Sequence, residues 1–287
     1  MDFDIVVIDE THHGKCESIK TIVIKNYNAK YRIGVTGTLP TKGSYDSFLV
    51  QAVLGPKVYD VQSHELIEKG QATPVNVAII EMDYIKEETK KKLYDMRNVP
   101  ADQKNGNKLY NLERNMARES RKRFNYIVET ISKVNKNSLV IFSDIKNNYG
   151  RDMYNWLREN TDKTVLYIDG GTKSDMREYY KERMENEEDV ILLASAGTFG
   201  EGIDIENINN IFITESYKDE KIVRQMLGRG MRLREGKSIV YVFDFADDYM
   251  HGSHKYHKYN YLMKHSRERE KVYKERKFPY KKFKVKL

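Results

Sequence analysis

Apolar positions along the 287-residue chain fall into two patterns. Short unbroken runs, Ile5-Val6-Val7-Ile8 first among them, suit strands buried on both faces of a parallel sheet. Between them lie charged stretches whose apolar residues recur at helical spacing. The pattern predicts strand 4–8, helix 18–25, strand 31–35 and a further helical stretch broken at Gly55-Pro56. A short helix starts at Ser63 and closes at Gly70, and 75–80 reads as a strand. Residues 87–135 are mostly helical and heavily charged, with an interruption at 98–107 that holds Pro100 and Gly106. Strands at 138–142, 164–168, 190–194, 210–214 and 238–243 then alternate with helices at 150–159, 173–186 and 219–227. Such alternation implies an α/β fold with right-handed crossovers and a parallel sheet. A domain boundary falls near residues 60–72, and the part before it is too small for a complete α/β domain.

Composition narrows the class. At roughly 150 residues per domain the length allows about two domains. Hydrophobic residues make up 39% and charged residues 32%, which suits a soluble globular protein. The apolar runs are far too short to span a bilayer, so no membrane partner is expected. The acidic start Met1-Asp2-Phe3-Asp4 lacks the features of a signal peptide. Cys16 is the only cysteine, which excludes an internal disulfide and points to a reducing cytoplasm.

The net charge of +7 is unevenly placed. Residues 251–287 hold 13 Lys or Arg and 3 Glu, a net of +10, while the other 250 residues hold 37 basic and 40 acidic groups. A basic tail can bind a phosphate backbone, and it can equally be a solvated helix face.

Four segments carry candidate chemistry. Val6-Val7-Ile8-Asp9-Glu10-Thr11-His12-His13 is a buried strand ending in two carboxylates, a Walker B arrangement at the carboxyl edge of a sheet. Asp9 suits Mg2+ and Glu10 suits a water-activating role, though the same pair also suits the start of a surface loop. Gly34-Val35-Thr36-Gly37-Thr38-Leu39-Pro40 follows the next strand and is either a coupling loop or a plain Gly/Thr turn. In Ala194 to Asp204 a strand feeds a glycine-rich loop, where Thr198 and backbone amides suit phosphates and Asp204 suits a ribose hydroxyl. Gln225-Met226-Leu227-Gly228-Arg229-Gly230-Met231-Arg232 is the most specific. Its arginines are three apart and share one face if the helix continues, and an arginine supplies a fixed positive fork for phosphate oxygens.

In this order the four segments resemble motifs II, III, V and VI of superfamily 2 helicases, and Ser138 to Ser143 resembles motif IV. The resemblance covers residues 1 to about 248, with Asp-Glu-Thr-His as a variant of the family's Asp-Glu-x-His. Glu65 to Gly70 and the tail are similar to phage recombination-repair helicases of the UvsW type; restriction-subunit-like translocases share the superfamily. The resemblance implies a RecA-like parallel sheet with helices on both faces. The expected layout is the end of a first RecA-like domain at 1–62, the second at 63–250 and a basic helix and strand extension at 251–287. It implies ATP and Mg2+ as cofactors, with Asp9 and Glu10 as the magnesium and water-activating pair. Gly202, Asp204, Gln225, Arg229 and Arg232 would serve the nucleotide, the two arginines reaching its γ-phosphate. His12, Thr36 and Thr38 would couple hydrolysis to movement, and Thr198 would touch the nucleic-acid backbone. DNA, single-stranded or branched, is preferred over RNA through this resemblance alone.

A motor of this kind needs a P-loop, G-x-x-x-x-G-K-[ST]. Gly14-Lys15 is followed by Cys16; Gly236-Lys237-Ser238 has Met231 in the earlier glycine's place and leads into a strand; Gly170 to Ser174 has no glycine directly before Lys173. The family's P-loop lies upstream of motif II, so the expectation is half an ATP site, completed by an upstream half that carries the P-loop. The expected function is the C-terminal portion of an ATP-dependent DNA helicase or translocase. The alternative is a non-hydrolysing nucleic-acid-binding or regulatory module on the same fold. In the tail, Tyr259, Leu262, Met263 and Tyr273 form a partial helical stripe, and 278–287 alternates apolar residues with lysines like a charge-protected edge strand.

Overall fold

The computed structural model describes residues 3–11, 17–37, 39, 43–84, 106–143, 148–200, 204–217, 220–249 and 260–287. The chain divides into two compact units, 1–62 and 63–287.

The first unit pairs β1 (Ile5–Ile8) in parallel with β2 (Tyr31–Gly34), joined through α1 (Glu17–Lys25) and followed by α2 (Tyr45–Leu54). Ser44 caps α2 by accepting from the Ser47 amide at 3.1 Å, and Gly55 ends it with φ +88, a left-handed backbone that favours glycine. Val6, Ile8 and Val23 are buried together, with Ala29, Val53 and Leu54 against them. The expectation that β1 is buried on both faces fails. Ile5, Val7 and Ile33 are 55%, 61% and 49% exposed, because the described helices cover only one side of this two-stranded sheet.

The second unit is a seven-stranded parallel sheet in the order β5-β6-β4-β7-β8-β3-β9. Its strands are β3 (Val75–Asp83), β4 (Ser138–Phe142), β5 (Val165–Ile168), β6 (Ile191–Ser195), β7 (Asn210–Ile213), β8 (Val240–Asp248) and β9 (Tyr280–Lys286). The helices are α3 (Ser63–Glu68), α4 (Gly106–Glu119), α5 (Arg121–Lys133), α6 (Tyr149–Asn160), α7 (Ser174–Asn186), α8 (Ala196–Gly200), α9 (Glu220–Gly230) and α10 (Tyr261–Glu275). Alternate strand residues feed two cores. Leu139, Ile141, Leu192, Ile211 and Val242 face Val223 and Leu227 of α9 and Tyr273 of α10. Val140, Phe142, Leu193, Phe212 and Phe245 face Ile127 and Ile131 of α5 and Met153 and Leu157 of α6. Helices therefore flank both faces, as the α/β reading requires. No described helix is long and apolar enough to cross a membrane.

One helical run and two strands depart from expectation. The helical run expected through 107–135 is split at Ser120, whose hydroxyl accepts from the Arg123 amide at 3.4 Å and starts a new helix. β3 and β8 run three and five residues beyond their predicted ends, since each pairs with the other from Val75↔Val240 to Asp83↔Asp248. The tail belongs to this unit: β9 adds to β3 in parallel, and α10 buries Leu262, Met263, Val272 and Tyr273.

Buried charge locks the tail in place. Arg269 is 1% exposed, and its Nε donates to Asp244 at 2.9 Å while Nη1 donates to the Tyr217 carbonyl at 2.9 Å. Burial disfavours the Arg269 cation, but the Asp244 carboxylate outweighs it and raises the group above its ordinary value. Tyr273 donates to the same Asp244 oxygen, Oδ2, at 2.7 Å. A second buried arginine, Arg123 of α5, donates to Asp247 at 2.7 Å, to Tyr149 at 2.6 Å and to the Thr214 carbonyl at 2.6 Å.

Candidate functional site

In the first unit the carboxyl ends of both strands converge. Val35 N donates to Ile8 O at 2.9 Å and Thr11 N donates to Val35 O at 3.1 Å, which ties the loop after β1 to the loop after β2. Gly34 allows this approach, because a Cβ there would lie 2.8 Å from the Thr11 methyl and 2.7 Å from Leu54 Cδ1. Asp9 and Glu10 are exposed at the end of β1, and the Glu10 amide donates to Asp9 Oδ1 at 2.7 Å. Glu10 has φ +50, a left-handed conformation uncommon for a non-glycine residue. Thr36 donates to Glu10 Oε2 at 3.5 Å. Asp9, Glu10 and Thr36 are thus brought together. His12 and Thr38 lie outside the described residues, as does Gly202 in the second unit.

In the second unit the glycine-rich segment leaves β6 through α8. Thr198 is 5% exposed and its hydroxyl shares a 2.7 Å hydrogen bond with Ser195, so it braces the turn and does not present its hydroxyl to solvent. Ser143, at the end of β4, donates from its amide and hydroxyl to Glu215 at 2.5 and 2.8 Å; Arg118 donates to the same carboxylate at 2.6 Å.

Gln225 and Arg229 are half-buried on α9, which packs tightly at its end: a Cβ on Gly230 would meet Ile211 Cδ1 at 2.7 Å. The helix stops at Gly230, so the two arginines do not share a continuous helical face. Arg232 lies just beyond, its amide donating to Arg229 O at 3.3 Å, and its guanidinium pairs with Asp204. Burial draws the Arg232 cation below its ordinary value, with Glu185 opposing. The fold therefore joins Asp204 of one predicted motif to Arg232 of another.

Residues that the motif pattern missed hold this corner. Lys237 is 8% exposed and donates to the carbonyls of Glu206, Gly230 and Arg232 at 2.7, 2.6 and 3.0 Å. Thr73 Oγ1 also donates to Arg232 O, at 2.9 Å. Glu185 of α7 pairs with Arg234 and accepts from the Glu206 amide at 2.5 Å. Contacts made to backbone carbonyls leave no side-chain pattern; only the glycine turn at Gly236 marks the place.

Known proteins resemble this chain in sequence and fold. Residues 122–234 match the helicase conserved C-terminal domain, and residues 1–41 match the type III restriction enzyme res subunit family. In sequence and fold the chain is similar to the C-terminal portion of superfamily 2 helicases. Among individual relatives, the ATP-dependent DNA helicase uvsW of Enterobacteria phage T4 is 26% identical over 97% of this chain. This chain spans 54% of that relative's length. The crystal structure of T4 UvsW superposes with a TM-score of 0.56 at 24% identity, over 99% of this chain and 54% of that one. The DNA-bound type ISP restriction-modification enzyme LlaBIII shares the fold at a TM-score of 0.60 and 13% identity, over 100% of this chain and 22% of that one.

Proposed function

We propose that residues 1–287 are the motif II to VI portion of an ATP-dependent DNA helicase or translocase that moves on single-stranded or branched DNA. The observation that carries this reading is the carboxylate pair. Asp9 and Glu10 are exposed at the carboxyl end of β1, with Glu10 in a left-handed conformation and bonded to Thr36. A binding module has no use for such a pair.

The donor set fits the cofactor. Exposed carboxylate oxygens are the hard ligands that Mg2+ takes, and arginine forks match phosphate oxygens. Bound Mg2+-ATP supplies the phosphoanhydride to be cleaved and the cation that neutralises its oxygens. With that group bound, Asp9 would hold the metal, Glu10 would orient water and accept its proton, and Arg229 and Arg232 would offset the negative charge on the γ-phosphate oxygens. Asp204 and Gln225, with Gly202, serve the nucleotide, and Thr36, His12 and Thr38 couple turnover to movement. Thr198 shapes the backbone that meets the nucleic acid.

No stretch of the 287 residues has the P-loop pattern, so turnover needs a P-loop from outside them. The apolar face of Ile5, Val7 and Ile33 supports this, since a bare sheet face calls for a covering partner. The test is ATPase activity with DNA in an assembly that carries the P-loop. Glu10→Gln and Arg232→Ala should each lower kcat about 100-fold or more while DNA binding persists. Unchanged kcat in both refutes the hydrolytic roles and favours the non-hydrolysing module. Robust DNA-stimulated turnover by residues 1–287 alone would sink the requirement for an outside P-loop.

A further inference from the structure

We propose that Lys237 is a positioning residue that clamps the Arg232 loop onto the loop carrying Asp204, and so aims Arg232. The inference rests on the role proposed for Arg232 above.

The end of α9 creates the need. A helix terminus leaves carbonyls without intrahelical donors and gathers partial negative charge there, which favours a cation. Arg232 lies beyond Gly230, where the helix holds its amide through Arg229 O at 3.3 Å and Thr73 reaches its carbonyl. Lys237 ties that carbonyl to the neighbouring loop. Its ammonium has three hydrogens and meets three carbonyls, those of Glu206, Gly230 and Arg232, at 2.7, 2.6 and 3.0 Å. Glu206 lies two residues after Asp204, the partner of Arg232. One buried side chain therefore joins both ends of the pair through the backbone.

Surrounding groups make this corner rigid. The Lys237 amide donates to Arg234 O at 3.1 Å, and Thr73 N donates to Met231 O at 2.7 Å. Glu185 pairs with Arg234 and accepts from the Glu206 amide at 2.5 Å, a second brace between the same two segments. Burial works against the ammonium, pulling it down to about 8, with Arg232 and Arg234 adding to that pull and Glu185 and Glu206 opposing it. A site that needed only filling would be met by an apolar side chain, without that cost.

The experiment is a double-variant cycle in the assembly that carries the P-loop: Lys237→Met, Arg232→Ala and the two together. Methionine keeps the length and removes the donors. Lys237→Met should lower kcat about tenfold or more with KM for ATP changed less than about twofold, as expected for a displaced transition-state contact. Added to Arg232→Ala, it should lower kcat by no more than about a further twofold. Hydrogen exchange of peptides spanning 230–236 should quicken in Lys237→Met. Wild-type kcat in Lys237→Met, or full additivity in the double variant, overturns the proposal, as does unchanged exchange. If Arg232→Ala keeps wild-type kcat, the hydrolytic reading fails, and exchange alone then decides whether the clamp exists. Should Lys237→Met not fold, Glu185→Ala, at the partly exposed brace, runs the same cycle with the same outcomes.

Discussion

Replacing Arg269 with methionine tests whether α10 is built into the second unit or merely rests on it. In the native protein the Asp244 carboxylate is fully buried and receives Arg269 and Tyr273. Methionine fills much of the same volume but leaves Asp244 with only the tyrosine hydroxyl, and strands the Tyr217 carbonyl that Arg269 Nη1 now meets. Removing one partner of a buried pair costs about 3–5 kcal/mol, against about 0–1 for an exposed one. For a domain of this size about 1 kcal/mol moves Tm by roughly 2–4 °C, so Arg269→Met should melt roughly 6–20 °C early. Urea unfolding of the wild type, Arg269→Met, Asp244→Leu and the double variant measures the coupling. The double variant should recover most of the loss, because an apolar pair of similar volume leaves no buried charge unpaired. A loss below about 1 kcal/mol in Arg269→Met, or a double variant that loses the sum of both singles, refutes the argument.

Two further outcomes are specific. Gly150→Ala sits in the first turn of α6, where alanine gains up to about 1 kcal/mol of helix propensity. Its Cβ would lie 2.6 Å from the Phe142 ring, which is stacked on Tyr167 at 5.3 Å, so overpacking of about 1–3 kcal/mol should win and Tm should fall; a raised Tm contradicts this. Burial alone would raise the Glu270 carboxyl, but Lys282, Lys274 and Arg267, at 2.8–2.9 Å, outweigh it and hold it at about 2, below its ordinary value of 4.5. A depressed acid contributes stability that is present above pH 4.5 and lost as pH falls toward 2. Melting curves from pH 7 to 2.5 should therefore steepen below 4.5 in the wild type and less so in Glu270→Gln; parallel curves exclude the contribution.

The alternation of apolar runs and amphipathic stretches was enough to read the α/β class, because parallel strands buried on both faces need no long-range information to be recognised. What escaped was charge in the core. Strand 238–243 stops short in the sequence because Asp244 and Asp247 interrupt the apolar pattern, yet β8 continues to Asp248. Their counter-charges, Arg269 and Arg123, come from 25 and 124 residues away, a pairing no local period encodes. The same reason hid Arg269 itself, which reads as surface charge on a helix of alternating Arg and Glu. At the candidate site, the resemblance named Asp9, Glu10 and Thr36, which the structure brings together, while the pairing of Arg232 with Asp204 was not in the pattern. It could not reveal Lys237, which meets backbone carbonyls, or Glu185, which meets the Glu206 amide and the Arg234 guanidinium. Thr198 was read as a phosphate contact; its bond to Ser195 within a short helical turn was not visible in the glycine-rich pattern.

The position of β3 in the sheet bears on how the protein is made. Its two neighbours, β8 and β9, begin at Val240 and Tyr280, whereas β3 ends at Asp83. At about 5–20 residues per second a ribosome needs on the order of 10–30 s to reach β8 after finishing β3. Throughout that interval Val75, Val77, Ile79, Ile80 and Met82, all destined for the interior, have no strand to pair with. The four strands β4 to β7, contiguous at one end of the sheet, can assemble as they emerge, leaving β3 as the element that waits longest for its partners.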